Sequence, residues 1–203
     1  DTSVDASALN TLDSKTTVKI NAAAVTTLSG SASDLITAYS SSGISGLGNE
    51  AILVDSGTSS VSVANYLSAA TSGIVSATLS DGDMATLANL NDSDNAYTIT
   101  ISDTSVDASA LNTLDSKTTV TINAAAVTTL SGSASDLNTA YSSSGISGLG
   151  NEAVTISDIS IDASVLNTLD SNTTGIIDAS AVTTLTGSAS DLNTAYSSSG
   201  ISG

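Results

Sequence analysis

The chain has 203 residues, with 20 acidic side chains against three lysines, no His, and a formal charge of −17. That balance excludes nucleic-acid binding and association with anionic membrane surfaces, both of which need a Lys/Arg footprint. The lack of Cys, Phe, Trp and Pro rules out a disulfide framework and a bulky aromatic core, so the core must be built from Ala, Val, Ile and Leu.

Residues 1–51 open with three related octads, "DASALNTL" at Asp5, "NAAAVTTL" at Asn21 and "SASDLITA" at Ser31. Each begins with a side chain that accepts hydrogen bonds from free amides at a helix start, and an Asp there also suits the positive end of the helix dipole. Ala at the next position, Leu or Val four on and Leu or Ala seven on span an arc of about 120° on a helix. The spacing predicts a short helix behind each octad start, with Asp5 and Asn21 as N-caps.

Residues 52–102 carry divergent octads, "VANYLSAA" at Val63 and "DMATLANL" at Asp83. The run "SVSV" around Val63 and the run "YTITISDTSV" from Tyr97 alternate apolar and hydroxyl residues as strands do. Asp81, Asp83, Asp92 and Asp94, in "SDGDM" and "NDSDN", offer oxygen ligands to calcium. Neither stretch fits the twelve-residue calcium loop or the glycine-rich calcium nonapeptide. The favoured expectation is a cap at Asp83 and a solvated turn, with no cofactor.

Residues 103–157 repeat the first copy almost verbatim, and a truncated copy restarts at Asp158, a period of 55. Asp107, Asn123, Asp162 and Asp178 are the matching predicted N-caps. "TVTI" (119–122), "AVTIS" (153–157) and "TGII" before Asp178 are predicted strands. The ten residues from Asn123 to Ser133 look too few for a strand and predict a helix–turn–helix corner. Leu111, Leu114, Val127 and Leu130 are the predicted core.

Similarity at a fixed period marks a stacked repeat. Burying one Leu or Val gains roughly 1.5–3 kcal/mol, whereas ordering eight residues costs on the order of 12 kcal/mol, so one octad cannot fold alone. Strands joined by helical crossovers pair in parallel and wind right-handedly. The expected fold is an α/β right-handed strand–helix solenoid, with one parallel sheet on one side and short helices on the other. It forms a single array over residues 1–203: a copy at 1–51, divergent coils at 52–102, a copy at 103–157 and a truncated copy at 158–203. Its beginning in mid-pattern and its stop at "ISG" suggest an excerpt of a longer array.

"GLGNEA", at Gly46 and again at Gly148, fits a dinucleotide fingerprint, but a strand follows it where a helix is required, so a glycine turn is expected. Without His or Cys there is no Ser-His or Cys-His nucleophile. Ser14–Lys15 and Ser116–Lys117 are adjacent rather than i, i+3, and Asn172 replaces the lysine in the third copy. No enzyme is expected. Tyr39, Tyr141 and Tyr196 share one repeat position and are expected to fill core or rim rather than stack on sugars. Asn91 and Asn172 head glycosylation sequons, "NDS" and "NTT".

The stretches "LNTLDSKTT" and "AAAVTTLSGSASDLNTAYSSSGISGLGNEA" resemble repeats of giant Ser/Thr/Asp-rich secreted or cell-surface proteins of marine cyanobacteria. That resemblance implies an extracellular or cell-surface location and carries over no catalytic residue. The expected function is a structural rod or filament segment. Its partners are neighbouring repeats or further copies end to end, with no nucleic acid and no membrane insertion. The alternative is a surface-binding or adhesive module presenting Thr98, Thr100, Thr121 and Thr155 on a flat strand face to ice, glycan or mineral. Lys19 stands where the later copy has Thr121 and interrupts that array.

Overall fold

The backbone returns beside itself on a shorter step than the sequence repeat: the Thr128 hydroxyl donates to the carbonyl of Thr104, 24 residues earlier, as Thr26 does to Thr2. The computed structural model describes all 203 residues, and they fall into two compact units. Unit 1 comprises residues 1–99 with 116–120; unit 2 comprises residues 100–115 with 121–203.

Unit 1 runs β1 (Ser3–Asp5), α1 (Ala6–Asp13), β2 (Ile20–Asn21), β3 (Thr27–Ser31), α2 (Ala32–Ser40), β4 (Ile44–Ser45), β5 (Ala51–Ser56), α3 (Val61–Ala70), β6 (Val75–Thr78), α4 (Met84–Leu87) and β7 (Ala96–Thr98). Its sheet has the order β1-β3-β5-β6-β7, every neighbour parallel, with a separate parallel pair β2-β4. Val4, Leu28, Ile52 and Val75 are successive register partners, and the last three are buried. The step shortens in the divergent segment, where Ser76 meets Ala96.

Unit 2 runs β8 (Ser105–Asp107), α5 (Ala108–Asp115), β9 (Ile122–Asn123), β10 (Thr129–Gly132), α6 (Ala134–Ser142), β11 (Ile146–Ser147), β12 (Ala153–Ile156), β13 (Ser160–Asp162), α7 (Ala163–Asn172), β14 (Ile177–Asp178), β15 (Thr184–Thr186), α8 (Ala189–Ser197) and β16 (Ile201–Ser202). Its main sheet is β8-β10-β12-β14-β16, again parallel, with pairs β9-β11 and β13-β15 beside it. Val106, Leu130, Val154, Ile177 and Ile201 form one aliphatic ladder, and Asp107, Ser131, Thr155, Asp178 and Ser202 the next. In-register parallel pairing requires each circuit of chain to have nearly the same length, which this return supplies. Leu111, Leu114, Val127 and Leu130 are all buried, as their spacing predicts.

Helices do follow the octad starts Asp5, Ser31, Asp83, Asp107, Ser133, Asp162 and Ser188. Those expected after Asn21, Asn123 and Asp178 do not form. There the chain makes one tight turn, closed by Val25 N–H to Ala22 O (2.9 Å), Val127 to Ala124 (3.0 Å) and Val182 to Ala179 (2.9 Å). It then extends into β3, β10 and β15. The β-branched Val-Thr-Thr run favours an extended backbone over further helix. The same fact overturns the helix–turn–helix corner: β10 lies within the stretch judged too short for a strand.

Two further expectations are corrected. "SVSV" around Val63 lies at the start of α3, because Ser60 caps a helix there, accepting from Val63 N–H at 3.3 Å. The 119–122 and 153–157 segments do not share a sheet: β9 pairs with β11 and is bridged by Thr100, whereas β12 sits in the main sheet. The sequence period is longer than two backbone steps, so equivalent sequences drift along the circuit. As a result β14, the sequence equivalent of β9, stacks on β12, and β13, the equivalent of β8, opens a new ladder. The divergent segment folds on the same plan. Val61–Ala70 corresponds to Ala163–Asn172 at the same offset that relates Asp1 to Asp103.

Leu130→Ala should lower stability by about 2–5 kcal/mol through the cavity it leaves. Leu12→Ala, at a side chain 52% exposed, should change it by about 0.5 kcal/mol or less. Urea titration of both variants measures the difference.

Candidate functional site

Several of the chain's polar side chains are spent where one backbone circuit meets the next. Three contacts recur. In the first, an Asn in mid-helix donates across to a carbonyl on the following helix: Asn10 Nδ2 to Asp34 O (2.9 Å), Asn112 to Asp136 (3.0 Å) and Asn167 to Asp191 (3.0 Å). Each of these three leaves its Oδ1 buried without a partner, a cost accepted for the crossing bond. Asn65 makes the same bond to Asn89 O (2.7 Å), and its Oδ1 also accepts from Asn91 N–H (3.0 Å).

In the second contact, an Asp at the end of one helix accepts from a Ser beyond the next helix: Ser41 Oγ to Asp13 (2.6 Å), Ser143 to Asp115 (2.6 Å) and Ser198 to Asp170 (2.7 Å). That same Ser Oγ accepts the amide of Gly43, Gly145 or Gly200, each at 3.0 Å. A Cβ at Gly43 or Gly145 would lie 2.0 Å from the Asp Oδ1, so only glycine permits the approach.

The third contact centres on Glu50 and Glu152, the chain's only two glutamates, both fully buried. Glu50 accepts the amides of Gly48 (2.9 Å) and Asn49 (3.2 Å) and the Tyr39 hydroxyl. Glu152 Oε2 accepts Gly150 N–H (2.8 Å), Asn151 N–H (3.2 Å) and the Tyr141 hydroxyl (3.0 Å), while its Oε1 has no partner. Thr71 and Thr173 reach back to the carbonyls of Glu50 and Glu152 at 2.6 and 2.8 Å. Burial raises the Tyr39 and Tyr141 phenols above their ordinary value, with the neighbouring carboxylate adding to the effect. "GLGNEA" is therefore a glycine turn whose amides are filled by its own glutamate; a phosphate would find them occupied. Sequence reasoning passed over both glutamates, although their confinement to one repeated hexapeptide was a visible signal.

The predicted caps divide by whether a helix follows them. Asp5 Oδ1 accepts from Ser7 and Ala8 N–H (2.9 and 3.2 Å), Asp107 from Ser109 Oγ (2.7 Å) and Ala110 N–H (3.1 Å), and Asp162 from Ser164 N–H (2.9 Å). These are helix caps. Asn21, Asn123 and Asp178 also accept from the amide two residues on, at Ala23, Ala125 and Ser180 (3.0, 3.1 and 2.9 Å), but no helix follows them. They close Asx turns rather than capping helices. The hydroxyl of the nearby Ser holds the Asp5, Asp107, Asp162 and Asp178 carboxyls below the usual carboxylate range, with backbone amides assisting.

The four aspartates weighed for calcium are engaged separately. Asp81 accepts Val61 N–H (2.7 Å), Asp83 caps α4 through Thr86 N–H (2.9 Å), Asp92 accepts the Ser68 hydroxyl, and Asp94 sits at positive φ. No three acidic side chains converge on a metal position. Thr98, Thr100, Thr121 and Thr155 are all exposed, yet none is the register partner of another: Thr98 pairs with Thr78, Thr100 bridges Asn123, and Thr155 lies between Ser131 and Asp178. Tyr196 is 81% exposed. Of the two sequon asparagines, Asn91 is exposed and Asn172 donates to Asn138 Oδ1 (3.1 Å).

Glu152→Ala removes the acceptor of two turn amides and of the Tyr141 phenol and should cost about 1–3 kcal/mol in total; chemical denaturation reads this. Asp107→Ala should cost about 0.5–2 kcal/mol, and Asn123→Ala less, since no helix depends on it. Because the folded carboxyls of Asp5, Asp107, Asp162 and Asp178 titrate lower than unfolded ones, their stabilisation is complete above the ordinary carboxylate range. It disappears as pH falls through their depressed values. At the alkaline end, burial pushes Tyr97 up to about 12, so the stabilisation from Tyr39, Tyr97 and Tyr141 holds below about pH 10 and is lost as pH rises. Absorbance titration should show these three phenols ionising late. The chain matches no protein-family model, no curated protein and no solved structure, so the geometry of these contacts alone carries the functional reading.

Proposed function

We propose that the chain is a non-enzymatic structural repeat protein: a segment of a right-handed strand–helix solenoid that serves as rod or filament in a large extracellular or cell-surface protein. The observation that carries this reading is the regular return of the backbone. Aliphatic ladders, Asn crossings and Asp–Ser contacts each join one circuit to the next within a unit. A structure so built needs only more of the same segment to lengthen, and its partners are neighbouring repeats or further copies end to end. The acidic surface keeps such copies apart at low ionic strength and is screened within a few ångström in concentrated salt. The Thr-face alternative draws less support, because its four threonines are spread over separate register rows.

Small-angle scattering and electron microscopy at low and seawater-like salt test the proposal. The rod reading expects elongated particles that lengthen end to end as salt rises. Compact particles of constant size under both conditions contradict it.

A further inference from the structure

We propose that unit 1 carries a binding cleft for a neutral sugar ring, set between α2, the turn after β4, and α3. The cleft has a volume of about 430 Å³, and Tyr39 and Tyr66 both line it. In a chain with five aromatic residues in all, two lie against one opening. Ala38, Ala69 and Ala70 form part of its walls, and Ile44, Leu47 and the Gly46 backbone form another part.

The chemistry of the lining selects the ligand. None of the lining side chains is charged, although the protein carries 20 acidic residues. The one carboxylate close behind, Glu50, is fully buried and already holds two amides and the Tyr39 hydroxyl. That bond pins the Tyr39 ring in place before any ligand arrives. Tyr66 is 42% exposed, and its hydroxyl lies 3.0 Å from Ser40 Oγ, which sets a paired donor and acceptor beside a ring. A pyranose matches this arrangement: its C–H face packs on aromatic rings and its hydroxyls exchange hydrogen bonds with the Ser40–Tyr66 pair.

The fold itself does not demand these residues. At the corresponding positions of unit 2, Thr168 replaces Tyr66, Ser171 and Asn172 replace Ala69 and Ala70, and Asn138 replaces Ile36. There Asn172 donates to Asn138, a polar pair where unit 1 has Ile36 and Ala70. α2 and α3 pack less closely than α6 and α7, so the tyrosine and alanines of unit 1 line an opening that the polar pair of unit 2 does not share.

Calorimetry and saturation-transfer NMR on the full chain, with maltose, cellobiose, lactose and chitobiose as probes, test the site. At least one should bind in the millimolar range. Tyr66→Thr, which installs the residue of unit 2, should weaken binding about tenfold or more with an unchanged circular dichroism spectrum. Tyr66→Phe, which keeps the ring, should retain most of the binding, and Thr168→Ala in unit 2 should have no effect. Failure of all four saccharides to bind overturns the proposal, as does equal binding by Tyr66→Thr. Tighter binding of tetramethylammonium in the same cleft would also overturn it, making the site one for cations held on aromatic faces.

Discussion

The hydrogen-bonded parallel register that brings each circuit of chain back beside the one before it is the constraint on which everything else in these units depends. Once Leu130 is fixed beside Val106 and Val154, the aliphatic side chains stack as ladders and the polar ones meet their counterparts one step away. A pairing slipped by one residue would turn every inward side chain outward. The crossing contacts oppose such a slip. Asn112 reaches only the Asp136 carbonyl, and Asp115 only a Ser backed by a glycine with no room for a side chain.

This explains how a protein with no Phe or Trp, and only five aromatic residues, supports ordered units. Apart from the buried Tyr97 ring, which the composition did not lead one to expect in the core, the core consists of small and branched aliphatic side chains that fill a narrow space between sheet and helix, and polar bonds supply the specificity that bulky side chains supply elsewhere. The buried glutamates belong to the same economy. Each gathers the free amides of a glycine turn that would otherwise be stranded, and locks a tyrosine from the preceding helix against it. Unfilled Oδ1 atoms on Asn10, Asn112 and Asn167 show that register is held at some cost in satisfied hydrogen bonds.

Much of this was legible in the residues. The octad spacing located most of the helices, the Val/Ile–Thr alternation located β12, and the apolar positions at Leu111, Leu114, Val127 and Leu130 proved to be core. What misled was the shared chemistry of Asp and Asn, which accept from free amides equally at a helix start and in an Asx turn; Asn123 and Asp107 head similar octads and diverge only because Val-Thr-Thr follows one of them. The length of the structural step was hidden because the sequence and the backbone repeat on different periods. Equivalent sequences therefore fall at different points of the circuit. Glu152 and Asn112 escaped notice because their role lies in contacts between segments distant in sequence, which no local pattern displays. The tyrosine cleft was hidden in the same way: Tyr39 and Tyr66 belong to different helices and meet only once those helices stack.

Cross-linking by position measures the register most directly, and the absence of native cysteine makes it clean. Ser131 and Thr155 are register partners on β10 and β12, and neighbouring strands lie about 4.8 Å apart, within the range a disulfide spans. The double variant Ser131→Cys, Thr155→Cys should oxidise rapidly and completely in the folded protein. The pair Ser131→Cys, Ser157→Cys is displaced by two positions, about 8 Å apart by the strand rise, and should remain reduced under the same conditions. Equal cross-linking of both pairs, or preference for the displaced one, would contradict the register and the account built on it.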